Sequence, residues 1–290
     1  MPAPATPDPA SRATTDSRRD PAYDRRRLIA FFAGLLAFYG GAVLILRPGP
    51  EDIDTIALPV MFAPAFGALI AVLFARGRVQ FGRLTRHLWL AFLPPLAILA
   101  TTWLASYVTD VEVQPGNLLG VLAFAIPFGL LGSITAVGEE IGWRGFLWPL
   151  MRRHTGFWTA AAIMLPIWWL YHVPAVLWWG YGYVGGLPAF TVGMVGFILF
   201  VGVITERSNS LWPSVLAHGA WNSLVAAAFR AGLGGQSPSC DGTACEPFTA
   251  GANLFTGPQT LLGEFGWIAA LTMLALGVAT AVWHVRRPQP

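Results

Sequence analysis

The 290-residue chain has no lysine at all, and only 11% of its residues are charged. A soluble domain ordinarily carries about 25%, so a water-exposed globule is excluded. A net charge of +3 spread over arginines alone gives no nucleic-acid signal, and no nucleic-acid partner is expected. Cysteine is almost absent too: Cys240 and Cys245 are the only two, enough for one local disulfide and no more. Several catalytic signatures are missing. There is no His-Glu-x-x-His of a zinc protease, no Gly-x-Ser-Gly and no Gly-x-Gly-Asp, which argues against serine and aspartyl routes. No solenoid repeat and no separate soluble domain can be read from the sequence.

What is present is apolar. Hydrophobic residues make up 55% of the chain, and the mean hydropathy is +0.56. Apolar stretches long enough to cross about 30 Å of hydrocarbon occur near 28–46, 56–75, 88–108, 119–138, 157–179, 186–204, 211–229 and 265–284. The expected fold is therefore all-α: a polytopic transmembrane bundle of about eight spans over 28–286. Residues 1–27, rich in Pro, Asp and Arg, read as a disordered tail with no signal peptide. Residues 231–264, rich in Gly, Ser, Thr and Pro, read as a long loop.

The arginines set an orientation. Numbering the loops alternately places 16 of them on the side of the N-terminus and only Arg47 and Arg230 on the other. The positive-inside rule then puts both termini in the cytoplasm and the 231–264 loop, with Cys240 and Cys245, outside. A disulfide between these two cysteines is expected there. Absent lysine and abundant Ala, Gly and Arg point to a GC-rich coding genome, and so to a bacterial plasma membrane as the location.

Against this apolar background the segment VGEEIGWRGFLWP at 137–149 stands out. If helix four ended at Gly138, Glu139 and Glu140 would be rim carboxylates neutralised by Arg144. Apolar residues resume after Arg144, however, and the next charges are Arg152 and Arg153. One long tilted or broken helix over 119–151 would instead carry the glutamates ~17–18 Å inward. Glu140 and Arg144 are four apart and can pair along one face, while Glu139 lies about 100° round the helix. His172, four after Trp168, and His218, four before Asn222, fall at similar depth in later spans.

Ionisable groups at membrane depth face a cavity or a partner. A carboxylate, two imidazoles and an amide from three helices suit hydrolysis: general base, water orientation and hydrogen bonds to an oxyanion. Glu139, His172 and His218 alternatively suit a divalent metal such as zinc. His87, His154 and His284 lie at span ends and read as interfacial, Glu206–Arg207 as a solvated pair in a turn, and Gly193 with Gly196 as a packing surface. A proton-coupled transporter is a second reading of buried Glu and His, though spans one to three carry no counterpart constellation. A non-catalytic scaffold or immunity protein is a third.

The pattern Glu139-Glu140-x-x-x-Arg144, then Trp168-x-x-x-His172, then His218-x-x-x-Asn222 resembles the CAAX-protease and bacteriocin-processing family. These are intramembrane endopeptidases similar to the Ras-converting CAAX endopeptidase. The resemblance spans about 119–229 and departs from the family at Trp168, where Phe is common. It implies a helical bundle with a cavity open to cytoplasm and bilayer, and a peptide or membrane-protein substrate. It also implies Glu139 as water-activating base with His172, His218 and Asn222 as oxyanion site, and Glu140 and Arg144 as supporting residues. It leaves the metal open.

Overall fold

The computed structural model describes residues 21–287 apart from 51, 85, 226–227 and 229–253. Cys240, Cys245 and residues 1–20 of the expected tail lie outside the described residues. Residues 21–27, expected in the same disordered tail, instead form the first turns of a helix in which Asp24 pairs with Arg27 and Arg153. The chain is almost wholly helical: α1 Pro21–Leu46, α2 Ile53–Ala75, a 3-10 turn Arg86–Phe92 running into α3 Leu93–Ala105, and α4 Leu118–Glu140. α4 passes without a break into a π-helical stretch, Ile141–Leu147, and then into α5, Trp148–Arg152. α6 Phe157–Trp178, α7 Leu187–Ser208, α8 Trp212–Ala220 with a π-helical end Trp221–Val225, and α9 Trp267–Arg286 complete the bundle.

Among the described residues six helices are long and apolar enough to cross a membrane: 22–46, 53–75, 87–105, 157–178, 184–208 and 267–286. They coincide with six of the expected spans. Their outer faces show large apolar side chains, Leu44 76%, Ile45 81% and Phe74 79% exposed, as a lipid-facing surface requires. α7 is the central helix: 72% of its apolar window is buried, against 17–39% in the other five. Gly196 and Gly277 let α7 and α9 cross at backbone contact, since a Cβ on Gly196 would collide with the Met273 carbonyl. The packing role read for the glycines of this helix is thus seen at Gly196.

The expected long helix over 119–151 is present in its broken form. The widened turn shows in the Trp148 N–H, which bonds the Trp143 carbonyl five residues back. Two further details lay outside the sequence reading. Glu112–Val113 pairs antiparallel with Phe255–Thr256, so the end of the 231–264 region is tied by a short ladder to the α3–α4 connection. Glu206 is not a solvated partner of Arg207. It accepts from Arg152 Nε at 2.6 Å, Trp148 Nε1 at 3.0 Å and His284 Nε2 at 2.9 Å, because α5, α7 and α9 end side by side.

Proline explains one link that positions the site. Pro64 in α2 has no N–H, so the Val60 carbonyl lacks its usual helical donor. In a membrane bundle that oxygen must be satisfied by protein. The Tyr171 hydroxyl does so at 2.7 Å, fastening α6 to α2 one residue before His172.

Candidate active site

The π-helical turn and the end of α4 carry the acids. Glu139 and Glu140 are 2% and 0% exposed, and Arg144 is 1% exposed. The rim-carboxylate reading therefore fails: these charges are interior. Arg144 Nη1 donates to Glu140 Oε1 at 3.2 Å, the expected i, i+4 pair. Glu139 has different partners. Its Oε2 accepts the indole N–H of Trp143 at 3.2 Å and of Trp168 at 3.0 Å. The two adjacent carboxylates thus diverge, as their angular separation requires. Trp143 escaped the sequence reading, although its position four after Glu139 was a usable signal.

Trp168 joins the two halves. Its ring lies under the Arg144 guanidinium, with Cζ 4.2 Å from the centroid, a cation–π contact that stabilises most when desolvated. Its carbonyl accepts from His172 Nδ1 at 2.8 Å. The His172 and His218 rings both pack edge-on against its indole, at 5.6 and 5.7 Å.

His218 makes a contact that helical spacing could not give. Its Nδ1 lies 2.9 Å from Glu140 Oε1, so Glu140 serves both Arg144 and His218. Carbonyls and carboxylates only accept hydrogen bonds, so both histidines carry a proton on Nδ1. In the neutral ring Nε2 is then a lone-pair nitrogen, an acceptor. His218 donates to an oxyanion only as imidazolium. Asn222 is half-buried one turn beyond His218, on the π-helical end of α8, beside Gly132 of α4.

A cavity of about 40 Å³ opens against these rings, with His172, His218, Trp168, Tyr181, Trp221 and Glu264 in its wall. A water needs about 10–15 Å³ by this measure, so the space suits ordered water and not a peptide. Glu139 stands behind the Trp168 indole rather than in that wall. Glu264, from the turn before α9, was missing from the sequence reading. It accepts from the Tyr181 hydroxyl at 2.7 Å and from Trp221 Nε1 at 3.1 Å. Burial and the neighbouring Glu264 carboxylate push the Tyr181 phenol well above its ordinary range, so it remains a donor.

The expected metal ligands Glu139, His172 and His218 are not gathered for that purpose. Among the described residues no group of three or more His, Cys, Asp or Glu side chains is placed to hold a metal ion. Glu139 gives one oxygen to two indoles, while His172 and His218 each donate Nδ1–H and keep a lone pair on Nε2, as metal-ligating imidazoles do. The groups are of ligand type but are not placed together to hold an ion, and no chemical step is derived through one.

Comparison with known proteins bears on the same residues. No curated protein was found to match the chain. A family model described as type II CAAX prenyl endopeptidase Rce1-like matches residues 121–224. That stretch holds Glu139, Glu140, Arg144, Trp168, His172, His218 and Asn222, and leaves Glu264 outside. Over residues 121–224, which hold these buried acids, rings and arginine, the chain is similar to the Rce1-like CAAX endopeptidases.

Proposed function

We propose that the protein is an intramembrane endopeptidase that hydrolyses a peptide bond of a membrane-associated protein or peptide with a water activated by Glu139. The observation that carries this reading is the buried set of Glu139, Glu140, Arg144 and His218 beside a water-sized cavity walled by His172. Two carboxylates and one arginine leave this interior set one negative charge in excess, and His218 in its cationic form brings it to zero. Isolated charge in such surroundings is strongly disfavoured. A balanced set can instead hold one carboxylate ready for proton transfer.

In this mechanism a water in the cavity donates a hydrogen bond to the lone pair of His172 Nε2. The Trp168 indole turns away and bares Glu139 Oε2, which takes a proton from that water. The water oxygen attacks the scissile carbonyl carbon, and the resulting oxyanion takes hydrogen bonds from His218, as imidazolium, and from Asn222. The proton on Glu139 passes to the amide nitrogen, the C–N bond breaks, and the two peptide ends leave. Glu140 and Arg144 hold His218 in place. On the arginine distribution, both termini are cytoplasmic.

The test compares membrane peptides and proteins in cells carrying the wild type or Glu139→Gln, with the variant's thermal unfolding measured in detergent. A glutamine oxygen still accepts both indole N–H groups, so the fold should survive. Loss of a general base lowers turnover by about 10²–10⁴-fold. Species that accumulate only with the variant would name substrates; identical peptide pools from two folded proteins would sink the proposal.

A further inference from the structure

A second opening has Arg144 in its wall and is separate from the histidine cavity, which Arg144 does not line. It measures about 300 Å³ and sits between α5 and the α7–α8 turn, with Arg144, Arg152, Arg153, Gln80, Asn209 and Ser210 in its wall. Such a volume is at the lower end of small-ligand sites. Three arginines face one carboxylate there, Glu206, and that carboxylate is already engaged by Arg152, Trp148 and His284.

Arg144 is the decisive residue. Its side chain is 1% exposed and gives only Nη1 to Glu140, while Nε and Nη2 have no hydrogen-bond partner among the described residues. Leaving buried donors of a charged group unmade is costly. These two N–H groups form the side-on edge of a guanidinium, the edge that grips two oxygens of one carboxylate or phosphate. The rest of the wall supplies further donors. Arg153 is held only at 3.3 Å by Asp24 and is 39% exposed on its side chain. The amides of Gln80 and Asn209 add neutral donors, and Asn209 sits at the left-handed end of α7. A tetrahedral phosphate has enough acceptor oxygens to use Arg144 and these groups together, which a carboxylate has not.

We infer that this opening binds a phosphate-bearing anion, either free phosphate or the phosphate of a lipid headgroup at the membrane face. The anion completes the Nε and Nη2 edge of Arg144 while Nη1 stays on Glu140. Occupancy is thereby felt at His218, two hydrogen bonds away.

Purified full-length protein in detergent is unfolded thermally with increasing inorganic phosphate, against chloride at equal ionic strength. In parallel, native mass spectrometry compares adducts with phosphatidylglycerol and phosphatidylcholine. Phosphate stabilises many proteins generally, so the comparison that matters is with variants. Asn209→Gly keeps the left-handed backbone without strain, and Arg153→Met removes an exposed charged donor. Each should weaken apparent phosphate affinity about 3–10-fold, as expected for one hydrogen bond. Arg144→Lys keeps the charge but not the two-pronged edge, and should abolish the effect. Should it fail to fold, the other two variants carry the test. Preferential phosphatidylglycerol adducts that Asn209→Gly and Arg153→Met lose identify the headgroup as the source. A phosphate response lost in those variants without a lipid preference identifies the free ion. Equal stabilisation of wild type and variants, with no lipid preference, overturns the site.

Discussion

Breaking the Glu140–Arg144 pair from either side should cost far more than removing the pair whole. Both side chains are at most 1% exposed, so water cannot screen whichever charge is left behind. Removing one partner of a buried pair costs about 3–5 kcal/mol. Two contacts soften this figure. In Arg144→Met, Glu140 keeps His218 at 2.9 Å. In Glu140→Leu, Arg144 keeps its place over Trp168, a contact that stabilises by up to about 2 kcal/mol. Each single substitution is therefore expected to cost about 2–4 kcal/mol. The double variant Glu140→Leu/Arg144→Met leaves neither charge stranded and should cost at least about 2 kcal/mol less than the sum of the singles. Thirteen tryptophans, two of them bonded to Glu139, make intrinsic fluorescence a suitable probe of unfolding in detergent. Additive costs, or singles within about 0.5 kcal/mol of wild type, would refute the buried pairing.

Other expectations follow from particular contacts. Glu264→Gln should lower turnover only a few-fold if Glu139 is the base; a loss equal to that of Glu139→Gln in the same peptide-pool assay would move the role to Glu264. Trp168→Phe keeps an aromatic ring but removes the N–H donated to Glu139, so stability should fall by about 1.5–3 kcal/mol, the range for a hydrogen bond to a charged group, seen as a lower unfolding temperature. Gly142→Ala drives a Cβ into Pro64 of α2. It should lower the unfolding temperature more than Gly156→Ala, where open space surrounds the new methyl.

The sequence exposed the parts of the site that lie within a helical turn of one another. Glu140 with Arg144 needed only the i, i+4 rule, and Trp143 would have yielded to the same rule applied to Glu139. Spacing could not show that Glu140 also holds His218, 78 residues away, because that contact depends on how α4 and α8 cross. Glu264 was hidden for the same reason: its partners Tyr181 and Trp221 lie 83 and 43 residues upstream. It also follows a stretch that reads as a plain polar loop. The six long apolar helices were legible because membrane thickness sets their length directly. Helix α8 runs from Trp212 through its π-helical end to Val225, within the span expected over 211–229.

The π-helical stretch has a consequence for how such a site can change. Across Ile141–Leu147 the backbone holds a residue more than the same rise of α-helix would need. Side-chain replacement cannot remove it; only a change of chain length can. Deleting one residue there would restore ordinary helix over the same rise, so Arg152 and the chain beyond would keep their place while side chains within the stretch change face relative to Glu139. Drift by substitution can therefore retune this centre gradually, whereas a single-codon deletion would re-aim its side chains in one step while leaving a sound helix behind.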